Sequence, residues 1–347
     1  MTDWFHRLTG FAEADHATTR AKLAVEGAEL VSRVNGRRYG IGTLELPSLG
    51  ELRERVAAVS RPAGPPRLAI VTGDVRAMHR NPTHAGATFQ VASQFNLLEM
   101  TGPEVTPEHG VTRYASDPTQ GPACAIAAGA ATVYRNYFAP VAGGVGQTRD
   151  RQLDALADLG AALAEATGRP LASLWSMRNG YALCTRDGLA AIDAHLAALD
   201  EPALDALRAR LRIGAHRDVE VTDTDGPARP VVSQAFCSAL PVAYTRLPAP
   251  AWARFARLVL EAAYEATLLE GVLNARRGGS PVVLLTRLGG GAFGNEDAWI
   301  DDALVRAVER VGGPDLDVRV VSYRAPTSSL RAIARRFAAA PDPGPRP

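Results

Sequence analysis

The sequence predicts an α/β protein, or a mixed α+β one, with a three-layer core. Three observations carry that expectation. Short apolar runs of strand character alternate with amphipathic helical segments along most of the chain. The run Val282-Val283-Leu284-Leu285 passes through a glycine-rich turn into an amphipathic stretch over 299–311, which reads as strand, turn and helix. Residues 251–273 keep a helical period over a length that few strands reach, entered from Pro248 and Pro250.

The elements follow in order. Residues 15–29 have helical composition, with Asp15 placed as N-cap. Segments 29–34 and 37–45 flank Asn35-Gly36, a type I′ hairpin signal. Ser48-Leu49-Gly50-Glu51 matches a capping box that opens a helix to Val59, and a Pro/Gly break follows at 62–66. Residues 1–66 are thus expected to be an N-terminal extension. Residues 67–72 form a strand ending in Gly73-Asp74-Val75, and 87–93 form a second strand leading into Gln94-Phe95-Asn96. A loop rich in Gly, Pro and Thr spans 101–119, and Gln120-Gly121-Pro122 introduces an Ala-rich helix over 123–134.

Helical periodicity recurs over 151–167 and 187–199, with a further helix at 203–211, so 138–230 reads as a mostly helical insertion. Strands at 219–221 and 231–235 flank a polar turn. After the glycine turn come a strand at 316–323, a helix at 328–338 and a Pro-rich tail, 339–347, expected to be disordered. The core is therefore expected to be 67–137 together with 231–338. No internal repeat is visible.

The chain has 347 residues, 46% of them hydrophobic, and a formal net charge of +1, which argues against a strongly basic nucleic-acid or membrane footprint. Lys22 is the only lysine. The N-terminus lacks a signal-peptide pattern and no apolar run suits a bilayer, so a cytoplasmic location is expected. Cys124, Cys184 and Cys237 are widely spaced, which reads as free thiols, and no zinc-ligand spacing is present. Neither a metal nor a cofactor is expected.

Glycines in the turn Gly289-Gly290-Gly291-Ala292-Phe293-Gly294 permit positive φ and close approach to a ligand, and a following helix N-terminus suits a diphosphate. With no Lys and no following Ser or Thr, the turn is not a nucleotide-triphosphatase P-loop. Gly289, Gly291 and Gly294 formally match G-x-G-x-x-G. A Rossmann dehydrogenase, however, needs several β–α units after that fingerprint, and one strand and one helix remain here.

Three separated segments resemble the macrodomain family, α/β modules that bind ADP-ribose. Gly73-Asp74-Val75 after its strand is similar to the family's Gly-Asp-Ile/Val element. Phe89-Gln90-Val91-Ala92-Ser93-Gln94-Phe95-Asn96, followed by Gln120-Gly121-Pro122-Ala123-Cys124-Ala125-Ile126, stands where the family has a strand ending in Asn, a glycine loop and a helix of small residues. The turn Gly289 to Gly294 resembles the second phosphate loop, and Ser238-Ala239-Leu240-Pro241 the strand before the long helix. The first glycine-rich loop is nearly absent, and the doubled glutamate of poly(ADP-ribose) glycohydrolases is not found. The resemblance covers about 67–134 and 231–336.

It implies an α/β fold with a three-layer α/β/α core around a mixed sheet, in which Asp74, with Val75, holds adenine, and Gly289, Gly290, Gly291, Ala292 and Gly294 cradle the diphosphate. Phe293 and Asn96 would position the distal ribose, with Gln120 beside it. Each residue also has a plainer reading: Asp74 as a cap, Phe293 as a core aromatic, Asn96 as a local turn. Asn295 reads as the N-cap of the following helix, and Cys124 as a small buried spacer. Glu99, within Leu97-Leu98-Glu99-Met100, is either a carboxyl of raised pKa suited to proton transfer or a surface group on an amphipathic turn. Asp117 and Glu104 are the next loop carboxylates. His79, His84, His109 and His216 read as turn residues, with no catalytic His–carboxylate pair. Tyr134-Arg135-Asn136-Tyr137 and Arg178-Asn179-Gly180-Tyr181 read as packing and capping, or else as a pocket wall or a contact to a modified partner.

The expected function is hydrolysis of an ADP-ribosyl linkage, with Glu99 and Asn96 as its catalytic pair. A binding-only reader of ADP-ribose is the alternative, and a dinucleotide oxidoreductase stands well behind. The partner would be ADP-ribose or an ADP-ribosylated substrate, with nucleic acid only as a modified substrate and no membrane. The oligomeric state is left open.

Overall fold

Among the described residues, seven strands form one sheet: β1 (Thr43–Glu45), β2 (Leu68–Thr72), β3 (Thr88–Ala92), β4 (Gly214–Glu220), β5 (Val231–Cys237), β6 (Val282–Leu285) and β7 (Asp317–Ser322). The computed structural model describes residues 3–59, 67–224, 226, 229–313 and 315–338. The strand order is β1-β4-β5-β3-β6-β7-β2. From β5 to β2 neighbouring strands run parallel, while β4 is antiparallel to both β5 and β1. Hydrophobicity sets this order. All four residues of β6 are apolar and buried, as a strand covered on both faces requires, whereas the edge strand β2 mixes buried and exposed positions.

The helices that frame the sheet are α1 (Leu49–Ala57), α2 (Val75–Arg80), α3 (Gln120–Ala127), α4 (Gly129–Tyr137), α5 (Arg186–Ala197), α6 (Ala249–Arg276) and α7 (Asp297–Val311). The long α6 lies across β3, β5 and β6, with α1, α5 and α7 against it, while α2, α3 and α4 cover the other face. Alternating side chains divide the two layers. Gln90 reaches Thr267 of α6, and its neighbour Phe89 stacks on His79 of α2 with centroids 3.7 Å apart. The expected three-layer α/β/α arrangement is what the chain adopts.

The sheet crosses both expected segment boundaries. β1 and α1 come from residues 1–66 and β4 from 138–230. Leu49, Leu52, Leu159, Trp175 and Ile192 share one apolar core with Phe89, Phe236 and Val283. The apolar pattern alone starts β4 at 219, because Gly214 and His216 interrupt it; the strand itself begins at Gly214.

Local structure departs from expectation at four further places. The helix after Asp15 ends at Ala21, because Leu23–Glu26 pairs with Glu29–Ser32 across a two-residue turn with Gly27 at φ +61°. The Asn35-Gly36 loop is wider than a type I′ turn. Only Gly36 has positive φ, and Ser32 Oγ accepts from the Val34 and Asn35 amides while Asn35 Nδ2 donates to Leu8 O. The Ala-rich helix breaks at Ala128, where the Gly129 amide donates to Thr222 Oγ1. The histidines are not turn residues as a group: His79 and His216 are fully buried on α2 and β4. The capping box at Ser48 and Glu51 forms as expected. The Pro/Gly break at 62–66 and the tail at 339–347 lie outside the described residues.

Candidate active site

The parallel strands β5, β3, β6, β7 and β2 release their C-terminal ends on one side of the sheet. After the adjacent strands β3 and β6 the chain turns to opposite faces, into α3 and α7. Diverging connections of this kind open a crevice at the carboxyl edge of a sheet. Two hollows lie there. One is lined by Ser93, Gln94, Glu99, Tyr181, Tyr244 and the loop after β6. The other is lined by Asp74, Val75, Tyr114 and Tyr323. Asp117, Thr119, Gln120 and Thr286 border both, so the hollows form one trough.

The glycine loop stands in the trough wall. Gly289 and Gly294 take φ of +76° and +70°, and a Cβ on either would meet Ala239 at 2.5 Å or Ala243 at 2.8 Å. Those two glycines serve the close fit of the loop on residues 239–243. Gly290 faces Ile300 and does not line the trough, whereas Gly291 lines it, and a Cβ there would meet no atom within 4 Å. Asn295 closes the loop: its amide donates to Gly289 O and its Nδ2 to Leu240 O. The N-cap of α7 is Glu296, so the capping role expected of Asn295 is not the one it plays. Arg287 is committed to Asp297 and Asp301 at 2.7 and 2.5 Å.

Five backbone amides beside the first hollow are unpaired. Among the described residues, the N–H groups of Gly291, Ala292 and Phe293 have no intramolecular acceptor, and neither do those of Gln120 and Gly121 in the first turn of α3. All five residues line the first hollow. Unpaired amides, joined by the positive end of a helix dipole, suit phosphate oxygens.

Glu99 lies in the same hollow and is 2% exposed. A tight turn carries it there: Leu97 takes φ +63°, and the Gln94 side chain holds the Met100 backbone by both its oxygen and its nitrogen. The Glu99 amide donates to Tyr114 Oη. Among the described residues neither carboxyl oxygen has a hydrogen-bond partner, and the cation paired with it is Arg135, Nη2 at 3.8 Å. Burial pushes the carboxyl up to about 8, with Arg135 pulling it the other way. The surface reading of Glu99 therefore fails. Among the described residues no group of His, Cys, Asp and Glu is arranged as metal ligands.

The remaining expected residues divide. Asp74 is exposed at the edge of the second hollow; its Oδ1 caps α2 through the Arg76 amide, and Val75 sits beside it. Gln120 reaches the trough, but its amide group is spent on Gln90 O, Ala92 N and Cys124 Sγ. Phe293 lines the first hollow and packs on Tyr181 and Tyr244 with centroids 5.3 and 5.5 Å away. Asn96 does not line the trough. It is fully buried, bonded to Gln152 Oε1 and the Leu98 amide, and pins the middle segment to the turn before Glu99. Strand β3 ends at Ala92, four residues earlier than a ligand role for Asn96 requires. Glu104 pairs with Arg178 at the surface. Cys124 is a buried spacer, its thiol pushed far up by desolvation.

Sequence reasoning gave no role to Gln94 or Tyr244, and read Arg135 and Tyr181 only as packing or as a pocket wall. A signal for Tyr181 was present. Asn179 and Gly180, both at positive φ, form the two-residue turn between Trp175–Arg178 and Tyr181–Cys184. That hairpin delivers Tyr181, whose hydroxyl donates to Met100 O at 2.6 Å.

No protein-family model matches the chain, and no curated protein does. Among solved structures it is similar to poly(ADP-ribose) glycohydrolase from Thermomonospora curvata, at 14% identity over 93% of this chain and 97% of that one, with a TM-score of 0.44. It is also similar to poly(ADP-ribose) glycohydrolase from Deinococcus radiodurans in complex with ADP-ribose, at 13% identity over 85% and 92%, with a TM-score of 0.42. At this level of likeness the site is read from its own residues.

Proposed function

We propose that this protein binds an ADP-ribosyl group along the trough and hydrolyses its glycosidic linkage at the Glu99 end. The observation that carries the reading is a buried, unpartnered carboxyl in the same hollow as two sets of unpaired amides. Such a hollow offers a diphosphate its donors and a neighbouring sugar a proton donor. In this reading residues 291–293, with Gln120 and Gly121, hold the diphosphate. Asp74 keeps one carboxylate oxygen for the adenine amino group, beside the exposed ring of Tyr323. Phe293, backed by Tyr181 and Tyr244, bounds the distal ribose.

Cleavage at the anomeric carbon passes through an oxocarbenium-like state, in which a positioned carboxyl assists departure of the leaving group or attack by water. Glu99 is mostly protonated below pH 8, which suits the acid role. The substrate is then an ADP-ribosylated molecule, protein or nucleic acid.

Calorimetric titration with ADP-ribose, NAD and AMP tests binding, and release of ADP-ribose from a panel of modified proteins and nucleic acids tests turnover. Tight ADP-ribose binding with release is the expected result. Binding without release from any member would make the protein a reader, and silence towards all three ligands would overturn the assignment.

A further inference from the structure

A buried cation stands behind Glu99. Arg135 of α4 is completely buried, its guanidinium stacked 3.8 Å above the Phe236 ring. Its Nε donates to Leu97 O at 3.1 Å, its Nη2 to Thr132 Oγ1 at 3.0 Å, and its Nη1 lies 3.3 Å from His216 Nδ1. The other nitrogen of that imidazole lies 2.7 Å from Ile41 O, so Nδ1 is free to accept from Arg135 when that bond is donated by Nε2–H. An arginine held on all sides in this way is a fixed cation, because the guanidinium does not give up its proton.

Its two holds on Glu99 are of different kinds. Through Leu97 O it fixes the backbone two residues before Glu99, and through space Nη2 stands 3.8 Å from the carboxyl, too far for a hydrogen bond. We propose, resting on the reading of Glu99 as the catalytic acid, that Arg135 is its positioning residue: it fixes the carboxyl in the trough and sets how firmly the proton is held.

The other ionisable groups facing this pair are few. Asp117 at the trough border opposes Arg135 by favouring protonated Glu99. The Tyr114 phenol and Cys124 thiol are buried, and desolvation raises both far above their usual values, so they stay neutral. His216 is buried against Arg135 and is pushed well below its usual value, chiefly by desolvation. Glu13 sits behind Tyr114, bonded to Tyr137 Oη and to the Val111 and Thr112 amides. Arg135 is thus the cation against which the Glu99 proton is balanced.

The test is a titration of the full chain carrying 13Cδ-labelled glutamate, followed by NMR without substrate, with the Glu99 signal identified by its absence in Glu99→Gln. Loss of a cation within about 4 Å should raise the Glu99 midpoint by about one pH unit or more in Arg135→Gln. Arg135→Lys should restore part of the difference. The pH limb of kcat governed by Glu99 should move the same way, with KM for the substrate little changed. A midpoint unmoved in folded Arg135→Gln overturns the proposal. If that variant does not fold, Arg135→Lys decides: the shorter cation should leave the Glu99 midpoint above that of wild type, and a midpoint unmoved there overturns the proposal. The titration needs no turnover, so its outcome is separate from that of the hydrolase reading.

Discussion

Gly121 is packed so tightly against Glu99 that a Cβ on it would stand 3.0 Å from Glu99 Cγ and 2.0 Å from Ala92 O. The absence of a side chain there lets the start of α3 seat on the end of β3 and leaves room for the Glu99 side chain beside it. Gly121→Ala should displace the helix start, lowering Tm and cutting turnover by about tenfold or more, because small misplacements at a reacting centre are costly. Melting curves and kcat of the purified variant check this. Full activity in Gly121→Ala would mean that Glu99 does not need its present position.

Glu99→Gln separates chemistry from binding. The amide keeps the shape, so ADP-ribose affinity should stay within a few-fold, as ~0.8 kcal/mol or less. Hydrolysis should fall by about 10²-fold or more, the usual contribution of a positioned acid or base. Surviving turnover would move the role to Asp117, the other carboxylate that borders the trough at this end.

The same substitution should change how stability depends on pH. Glu99 is raised from 4.5 to about 8, so it binds its proton more tightly in the folded than in the unfolded chain. Its contribution to stability is full below pH 4.5 and is lost as pH rises through about 8. The Tm of Glu99→Gln relative to wild type should therefore climb across that interval and level off above it. A constant difference would show that Glu99 titrates near its ordinary value.

The glycines of the loop should behave unequally. Gly294→Ala forces a Cβ into Ala243 at positive φ and should cost about 1–3 kcal/mol of stability. Gly291→Val meets no protein atom within 4 Å of its Cβ, so it should fold like wild type and lose ADP-ribose affinity alone. Unchanged affinity, measured by calorimetry, would place the diphosphate elsewhere.

Asp74 both caps α2 and borders the second hollow, so Asp74→Ser is the informative change: serine keeps the cap and gives up the carboxylate. ADP-ribose should weaken by about 1–3 kcal/mol, while ribose-5-phosphate, which has no adenine, should bind as before. Equal losses for both would assign Asp74 to the fold.

Much of the architecture was legible because it rests on local chemistry. The apolar run of β6, the Ser48–Glu51 capping box and the length of α6 each declare an element within a few residues. What escaped depends on distant partners. Strand β4 carries Gly214, His216 and Arg217, and is a strand because β1 and β5 hold it on both sides, with Arg217 paired to Glu270. The two Asn-Gly pairs make the same point: the one at 35–36 looked like a tight turn but is drawn out by Ser32 and Leu8, while the one at 179–180 is the tight turn. At the site, Glu99 was found from its apolar neighbours. Its counter-charge Arg135, thirty-six residues further along, reads from the sequence only as packing or as a pocket wall, since nothing in Tyr134-Arg135-Asn136 marks an arginine that will be wholly enclosed beside Glu99.

Strand β2 pairs with β7 and with no other strand of the sheet. During synthesis from the N-terminus, Leu68–Thr72 leaves the ribosome long before Asp317–Ser322 exists. β3 likewise waits for both β5 and β6. Until β7 arrives the second hollow lacks the wall that Val321 and Tyr323 supply, and a strand edge stands open to other chains. β7 therefore completes both the sheet and that hollow in a single step, when it slots between β6 and β2.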